Sequence, residues 1–181
     1  MSSIPLDFIT VMNANFILIP TFTLLTVLGA WIEIPLGPVP FIMSDFVVLL
    51  SGLALGPWRA CLSIGIYLML GALGLPVFAD GGGILYFWGN TGGFLVGFLL
   101  AAAVVGMISH HGQHRFYKDA LATICGQITF FAFGMAWFKV SANVSWMYTV
   151  ENILMVFLVP IAIKFVTATT CGYFIRKKLG F

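Results

Sequence analysis

Long apolar runs, broken by short clusters of glycine, proline and charge, set the rhythm of this chain. A helix needs about 20 apolar residues to cross the ~30 Å hydrocarbon core of a bilayer. On that measure the pattern predicts six spans, at about 15–32, 41–55, 60–75, 91–109, 120–138 and 150–175. The runs are continuous, whereas a transmembrane β-barrel would alternate, so the expected class is an all-α integral membrane bundle. After the first span, EIPLGPVP (Glu33–Pro40) holds three prolines that force an extended turn. Gly56-Pro57 stops the second span, and the short link Gly56–Arg59 makes spans two and three a tight antiparallel hairpin. Both are short for a full crossing. Either they tilt little and thin the bilayer, or Leu75–Ile84 dips back into the protein, where a cavity or neighbouring helices can satisfy its backbone. No linker divides the chain, so residues 1–181 form one domain.

The richest break is Gly71–Gly97, GALGLPVFADGGGILYFWGNTGGFLVG. It holds the chain's run of three glycines, a lone Asp80, Asn90 and the aromatics Tyr86, Phe87 and Trp88. So much turn chemistry in so apolar a chain reads as the mouth or lid of a small-molecule site.

Composition sharpens the class. Of 181 residues, 61% are hydrophobic and 8% charged, against roughly 25% charged in soluble domains. The mean hydropathy is +1.08. No basic run interleaves with aromatics, so no nucleic-acid partner is expected; the lipid bilayer is. Met1–Phe16 contains Asp7 and no Lys or Arg. A cleaved leader needs a basic start, so the first apolar segment is expected to be retained. Arg59, Arg115, Lys118, Arg176, Lys177 and Lys178 fall on one side of the six-span arrangement. Lys139, Glu33, Asp80 and Glu151 fall on the other. The positive-inside rule makes the first side cytoplasmic, with both termini inside and the glycine-rich stretch outside.

Charge inside a span costs a few kcal/mol or more and marks a functional candidate. Lys164 lies in span six, four residues after Pro160 and too deep to reach an interface fully. It needs an acid, a carbonyl cluster or an anionic ligand; a structural salt bridge is the alternative. Asp45, early in span two, could pair with it, accept a ligand N–H, or sit at the interface. Gln127 in span five could serve a ligand or bond between helices. Ser44, Asn90, Thr91, Asn143, Glu151 and Asn152 are weaker polar candidates. Tyr86, Trp88, Trp137, Trp146 and Tyr148 read mainly as an interface belt, of which one or two could stack on a bound ring. Gly93 and Gly97 in span four make a close-packing face. Cys61, Cys125 and Cys171 have no metal or disulfide spacing. His110, His111 and His114 read as a solvated loop rather than a metal site. No catalytic triad, phosphate-cradling loop or proton relay is visible. The chain is expected to bind a solute and leave the energy to another protein, with no enzyme activity and no cofactor.

Ile34–Pro40, SGLALGP (Ser51–Pro57), LGALGLPVFADGGG (Leu70–Gly83) and NTGGFLVGFLLAAAVVG (Asn90–Gly106) together resemble the BioY family, the biotin-binding S components of energy-coupling-factor (ECF) vitamin transporters. The resemblance is close over about Ile32–Gly106 and looser beyond. It implies six helices, a biotin site near the outer face, and a partner module of a membrane coupling subunit with paired ATP-binding cassette ATPases; some members are thought to work without one. By this resemblance Lys164 meets the ligand or orients an acid that does. Asp80, Gly82, Gly83 and Tyr86 form the lid, and Asn90, Thr91, Gly92 and Gly93 present polar groups to the ring. The family's acid three residues before the lysine is absent, since that position is Ile161; Asp45, Asp80 or Glu151 would have to replace it. The small-residue docking face expected on the first helix is bulkier here, from Thr23 to Val27. Another vitamin or a biotin precursor is the alternative ligand, and a membrane enzyme or a structural subunit the alternative class.

Overall fold

The computed structural model describes residues 6–179; Met1–Pro5, where the expected retained N-terminus begins, and Gly180–Phe181 lie outside it. Among the described residues six helical rods form one bundle. The first, α1, spans Leu6–Trp31. Two two-residue strands follow, β1 (Glu33–Ile34) and β2 (Phe41–Ile42), paired antiparallel with Glu33 opposite Ile42. Next come α2 (Ser44–Leu55), α3 (Pro57–Ala72), a 3₁₀ helix (Ile84–Trp88), α4 (Gly92–Ser109) and α5 (Phe116–Ser141). The last rod joins α6 (Trp146–Thr149), a π-helical turn (Val150–Met155) and α7 (Val156–Leu179) without a break.

Three helical stretches are long and apolar enough to cross a membrane unaided: Gly92–Ser109, Phe116–Ser141 and Trp146–Lys178. The expected spans are shorter than the first, fifth and sixth rods. Apolar runs report where lipid or core is met, whereas backbone hydrogen bonding carries a helix on through polar residues. The proline-rich turn hides a hairpin. Pro35, Pro38 and Pro40 lie between the strands, leaving Glu33–Ile34 and Phe41–Ile42 free to pair. Two-residue strands are too short to leave a period in the sequence.

The shortness of α2 follows from its position. All of its residues except Phe46 are buried, so it is the bundle's central helix, apolar on most of its surface and packed on every side. Close approach by its neighbours depends on missing side chains. A Cβ on Gly93 would collide with Trp137, and one on Gly134 with the Phe94 ring, which locks α4 against α5. One on Gly172 would overlap Leu53, bringing α7 onto α2. The Thr23–Val27 face of α1 is turned inward. Thr23 and Val27 are buried, and Thr23 Oγ1 donates to the Ser63 carbonyl on α3 at 3.0 Å.

Leu75–Ile84 is not a helix that completes a span. Gly83 N–H donates to the Gly71 carbonyl at 2.7 Å, folding the segment back on the end of α3, and Phe78 bridges with Gly81. The Phe78 side chain enters the bundle at 1% exposure, over Gly71, where any Cβ would meet its ring. Phe78 packs edge-on to Tyr67 and against Tyr86 and Phe87. The loop is a plug at one end of the bundle. At this end Glu33 and Asp80 come near each other and Tyr86. At the other end Arg59, His110, Asp119 and Arg176 gather.

Candidate functional site

Beneath the plug lies a narrow crevice with about 40 Å³ of free volume, mostly apolar with a few placed polar groups, as small-ligand sites are. Every layer of the bundle except α1 contributes. The hairpin supplies Val39, Pro40 and Ile42; α2, Asp45; α3, Tyr67; the plug, Phe78 and Ala79. Tyr86 and Thr91 come from the stretch leading into α4, which adds Phe94, Leu95 and Phe98. Phe130 and Phe131 on α5, Ile153 in the π turn, and Phe157 and Lys164 on α7 complete it. Phe98 and Phe130 are stacked at 5.2 Å, with Phe131 edge-on to Phe130. The walls are aromatic and the polar groups few. A flat, partly polar ring would find π-faces here and a few directed hydrogen-bonding groups.

The strongest of those groups is an ion pair at the inner end. Lys164 Nζ donates to Asp45 Oδ1 at 2.5 Å and to the Ile42 carbonyl at 2.6 Å. The Phe41 ring lies over the same ammonium, 3.6 Å from centroid to nitrogen. Carboxylate, carbonyl and ring thus engage the three donor directions of the ammonium. Asp45 sits in the first turn of α2, where backbone N–H groups of Asp45 and Phe46 also reach its carboxylate and the helix dipole favours negative charge. Both side chains are nearly inaccessible. At such depth each charge is tolerable because the other is there. Pro160, one turn before Lys164, leaves the Val156 carbonyl without its helical donor.

Among the other residues singled out by sequence, Tyr86 and Thr91 line the crevice, and the Tyr86 hydroxyl meets Thr91. Burial pushes the Tyr86 phenol up, so it stays a neutral donor. Asp80, Gly82, Gly83, Asn90 and Gly92 do not line it. Asp80 and Asn90 are exposed. Gly82 is held against the Leu75 carbonyl, and Gly83 turns the plug at φ +111°. Gly92 abuts the Phe87 carbonyl at the start of α4. The three glycines serve the backbone: a Cβ on Gly82 or Gly92 would strike a carbonyl, and Gly83 holds a conformation that side chains rarely adopt. Gln127 also lies off the crevice. Its Nε2 donates to the Ile161 carbonyl at 3.3 Å, linking α5 to α7 beside a smaller pocket that Asp45 shares. Of the three acids considered as replacements at Ile161, Asp45 reaches Lys164, while Asp80 and Glu151 are exposed.

Sequence reasoning missed the aromatic lining, because Phe94, Phe98, Phe130, Phe131 and Phe157 look like any other apolar residues in a span. Tyr67 carried a readable signal, a phenol in mid-span, and its hydroxyl sits by Ser44. Asp119 was missed as well. It is fully buried at the opposite end, where His114 Nε2 donates to Oδ2 at 2.9 Å and Arg176 Nη1 reaches Oδ1 at 3.3 Å. Arg176 also donates to the Ser109 carbonyl at 2.5 Å, and His110 Nε2–H donates to the Leu53 carbonyl at 2.9 Å. Burial holds His110 below the usual histidine range. The expected solvated histidine loop is therefore corrected: two of its three histidines tie helices together, and only His111 is left on the exposed turn.

An aromatic crevice with one buried ion pair, plugged at one end and set in a membrane-type helical bundle, defines a solute-binding membrane protein. The chain belongs to the BioY family, whose model matches residues 4–181. It is 38% identical over 154 residues to a probable biotin transporter BioY of Pyrococcus horikoshii, covering 83% of this chain and 89% of that one. It is 41% identical over 140 residues to the biotin transporter BioY of Rhodobacter capsulatus, with 73% of each chain covered. With the biotin transporter BioY of Thermotoga maritima it shares 52% identity over 89 residues, 49% of this chain; the match spans about half, 53%, of that relative. The fold matches the crystal structure of the S-component for biotin from an ECF-type ABC transporter, at a TM-score of 0.84 and 22% identity over 97% of this chain and 95% of that one.

Proposed function

We propose that this chain binds biotin and serves its uptake across the cytoplasmic membrane, as the S component of an ECF-type transporter or as a stand-alone biotin transporter. The observation that carries the reading is the crevice: aromatic walls suited to the fused rings, with Asp45, Tyr67, Tyr86 and Thr91 as directed polar groups. Biotin's ureido ring offers both N–H donors and a carbonyl acceptor, its thiolane ring is apolar, and its carboxylate is anionic. The Asp45–Lys164 pair can meet donor and acceptor side by side. Membership in a family whose named relatives are biotin transporters sets aside a membrane enzyme or a structural subunit. The partners in this reading are a membrane coupling subunit and ABC ATPases, reached from the basic end of the bundle. Both termini lie on the cytoplasmic side, and the plug faces out.

Thermal unfolding of the purified protein in detergent, with and without ligand, tests this directly. A ligand that binds only the folded state raises its apparent stability, by about 2.7 kcal/mol at a hundred times Kd. Biotin is expected to raise the transition temperature, and thiamine and riboflavin to leave it unchanged. Stabilisation by another vitamin and not by biotin would replace biotin as the ligand.

A further inference from the structure

The last rod is held unevenly. Towards the end of α7 that carries Arg176, Ala168, Thr169, Gly172 and Arg176 are all buried. Gly172 lies against Leu53, Thr169 donates to Thr123 at 3.2 Å, and Arg176 is bonded to Ser109 and Asp119. Between Phe157 and Lys164, by contrast, not one residue is buried. Open grooves flank this outer half on both sides, of about 420 Å³ against α5 and about 370 Å³ against the hairpin and α2. The same stretch contains Pro160 and directly follows the π turn, two features that interrupt regular helical bonding.

One side chain belongs to both the crevice and the groove beside the hairpin, and that is Lys164. The wall there is thin. It consists of Lys164, with Phe41 laid over its ammonium and Phe157 6.1 Å from Phe41. Phe41 lines the groove and not the crevice, and it sits on a strand of two residues. Gln127 ties the Ile161 carbonyl on the α5 side, whereas on the hairpin side the polar fastening of this half is Lys164, to Asp45 and the Ile42 carbonyl. A rigid anchored half, an interrupted helix and one fastening on the hairpin side are the parts of a hinge.

The geometry points to a lateral gate: the outer half of α7 and Phe41 part to let a small solute exchange between the crevice and the lipid-side groove, with the Lys164–Asp45 pair as the latch. This rests on the solute-binding reading above. The latch fits the chemistry, because parting a buried ion pair strands both charges unless a polar solute supplies replacement partners.

The test uses tritiated biotin on the full chain in nanodiscs, with equilibrium affinity measured before exchange rates. Val159→Trp and Ile163→Trp together fill the groove without touching the crevice. They are expected to slow both association and dissociation about tenfold while Kd stays within about threefold. Phe41→Ala is expected to speed both association and dissociation, whatever change in Kd the loss of its contact with Lys164 brings. Leu158→Trp fills the opposite groove and is expected to leave exchange unchanged. Unaltered rates in the filled-groove protein overturn the gate, as does equal slowing by Leu158→Trp. Should Phe41→Ala fail to fold, the filled groove alone decides. Weaker affinity in Phe41→Ala with an unchanged association rate makes Phe41 a mere wall and overturns it too. If the unsubstituted protein binds no biotin, the functional reading fails first and the gate with it, an outcome separate from altered kinetics.

Discussion

Lys164 engages an acid on α2, a carbonyl on β2 and an aromatic face, all from segments about 120 positions earlier in the chain. Removing one member of such a pair strands the other charge in a medium that cannot solvate it. Lys164→Met is expected to destabilise the folded protein by about 3–5 kcal/mol, and Asp45→Asn by less, since the amide keeps its shape and loses its charge. The double variant Lys164→Met/Asp45→Asn is expected to be more stable than Lys164→Met alone. Thermal unfolding in detergent measures all three, and additive losses would mean that the two groups are not coupled. Biotin binding is expected to fall in each variant, by at least about a hundredfold where the charge is lost. Unchanged affinity in Lys164→Met would remove Lys164 from the site. The charge was legible in the sequence as a cost requiring a partner. Asp45 was legible as one possible partner, alongside a ligand contact or a place at the interface; the choice waited for the fold to bring its carboxylate within 2.5 Å of Lys164.

At the scale of elements, the crevice is shaped by how closely helices approach. Phe94 is a crevice wall, and its ring occupies the space a Cβ on Gly134 would need. Gly134→Ala is therefore expected to cost about 1–3 kcal/mol by overpacking, and to weaken ligand binding by displacing Phe94. Gly65 on α3 has no atom within 4 Å of such a Cβ. Gly65→Ala is expected to stay within about 0.5 kcal/mol of the parent, or to gain slightly from helix propensity. Equal effects at the two positions in a melting experiment would count against the packing account. The GxxxG pattern of span four announced close packing, but not its partner. The plug was legible as turn chemistry, while its function of inserting Phe78 over Gly71 was not. A phenylalanine beside Val77 carries no local mark that it points inward.

The whole molecule separates its charges between two ends, as the run lengths and basic residues suggested. One end gathers Arg59, Asp119 and Arg176; the other brings Glu33 and Asp80 around the plug. The proposed orientation places the first end in the cytoplasm. Gln113→Cys, in the α4–α5 turn, is expected to react with a membrane-impermeant thiol reagent only after cells are opened. Ser141→Cys, at the far end of α5, is expected to react in intact cells. Both substitutions are made in a chain whose Cys61, Cys125 and Cys171 are replaced by serine. The reverse pattern would invert the molecule.

By itself the sequence determined the class, the number of rods, the hairpin of α2 and α3, and the cost of Lys164. These depend on local quantities: the length of an apolar run, the φ restriction of proline, and the price of a charge in hydrocarbon. Only the tertiary structure decided which residues make the crevice, that α2 rather than a longer helix is the centre, and that Gln127, Asn90 and the plug glycines stand outside it. Those outcomes depend on contacts between positions far apart in the chain. In a sequence that is 61% hydrophobic, a phenylalanine facing lipid and one facing a ligand are written with the same letter.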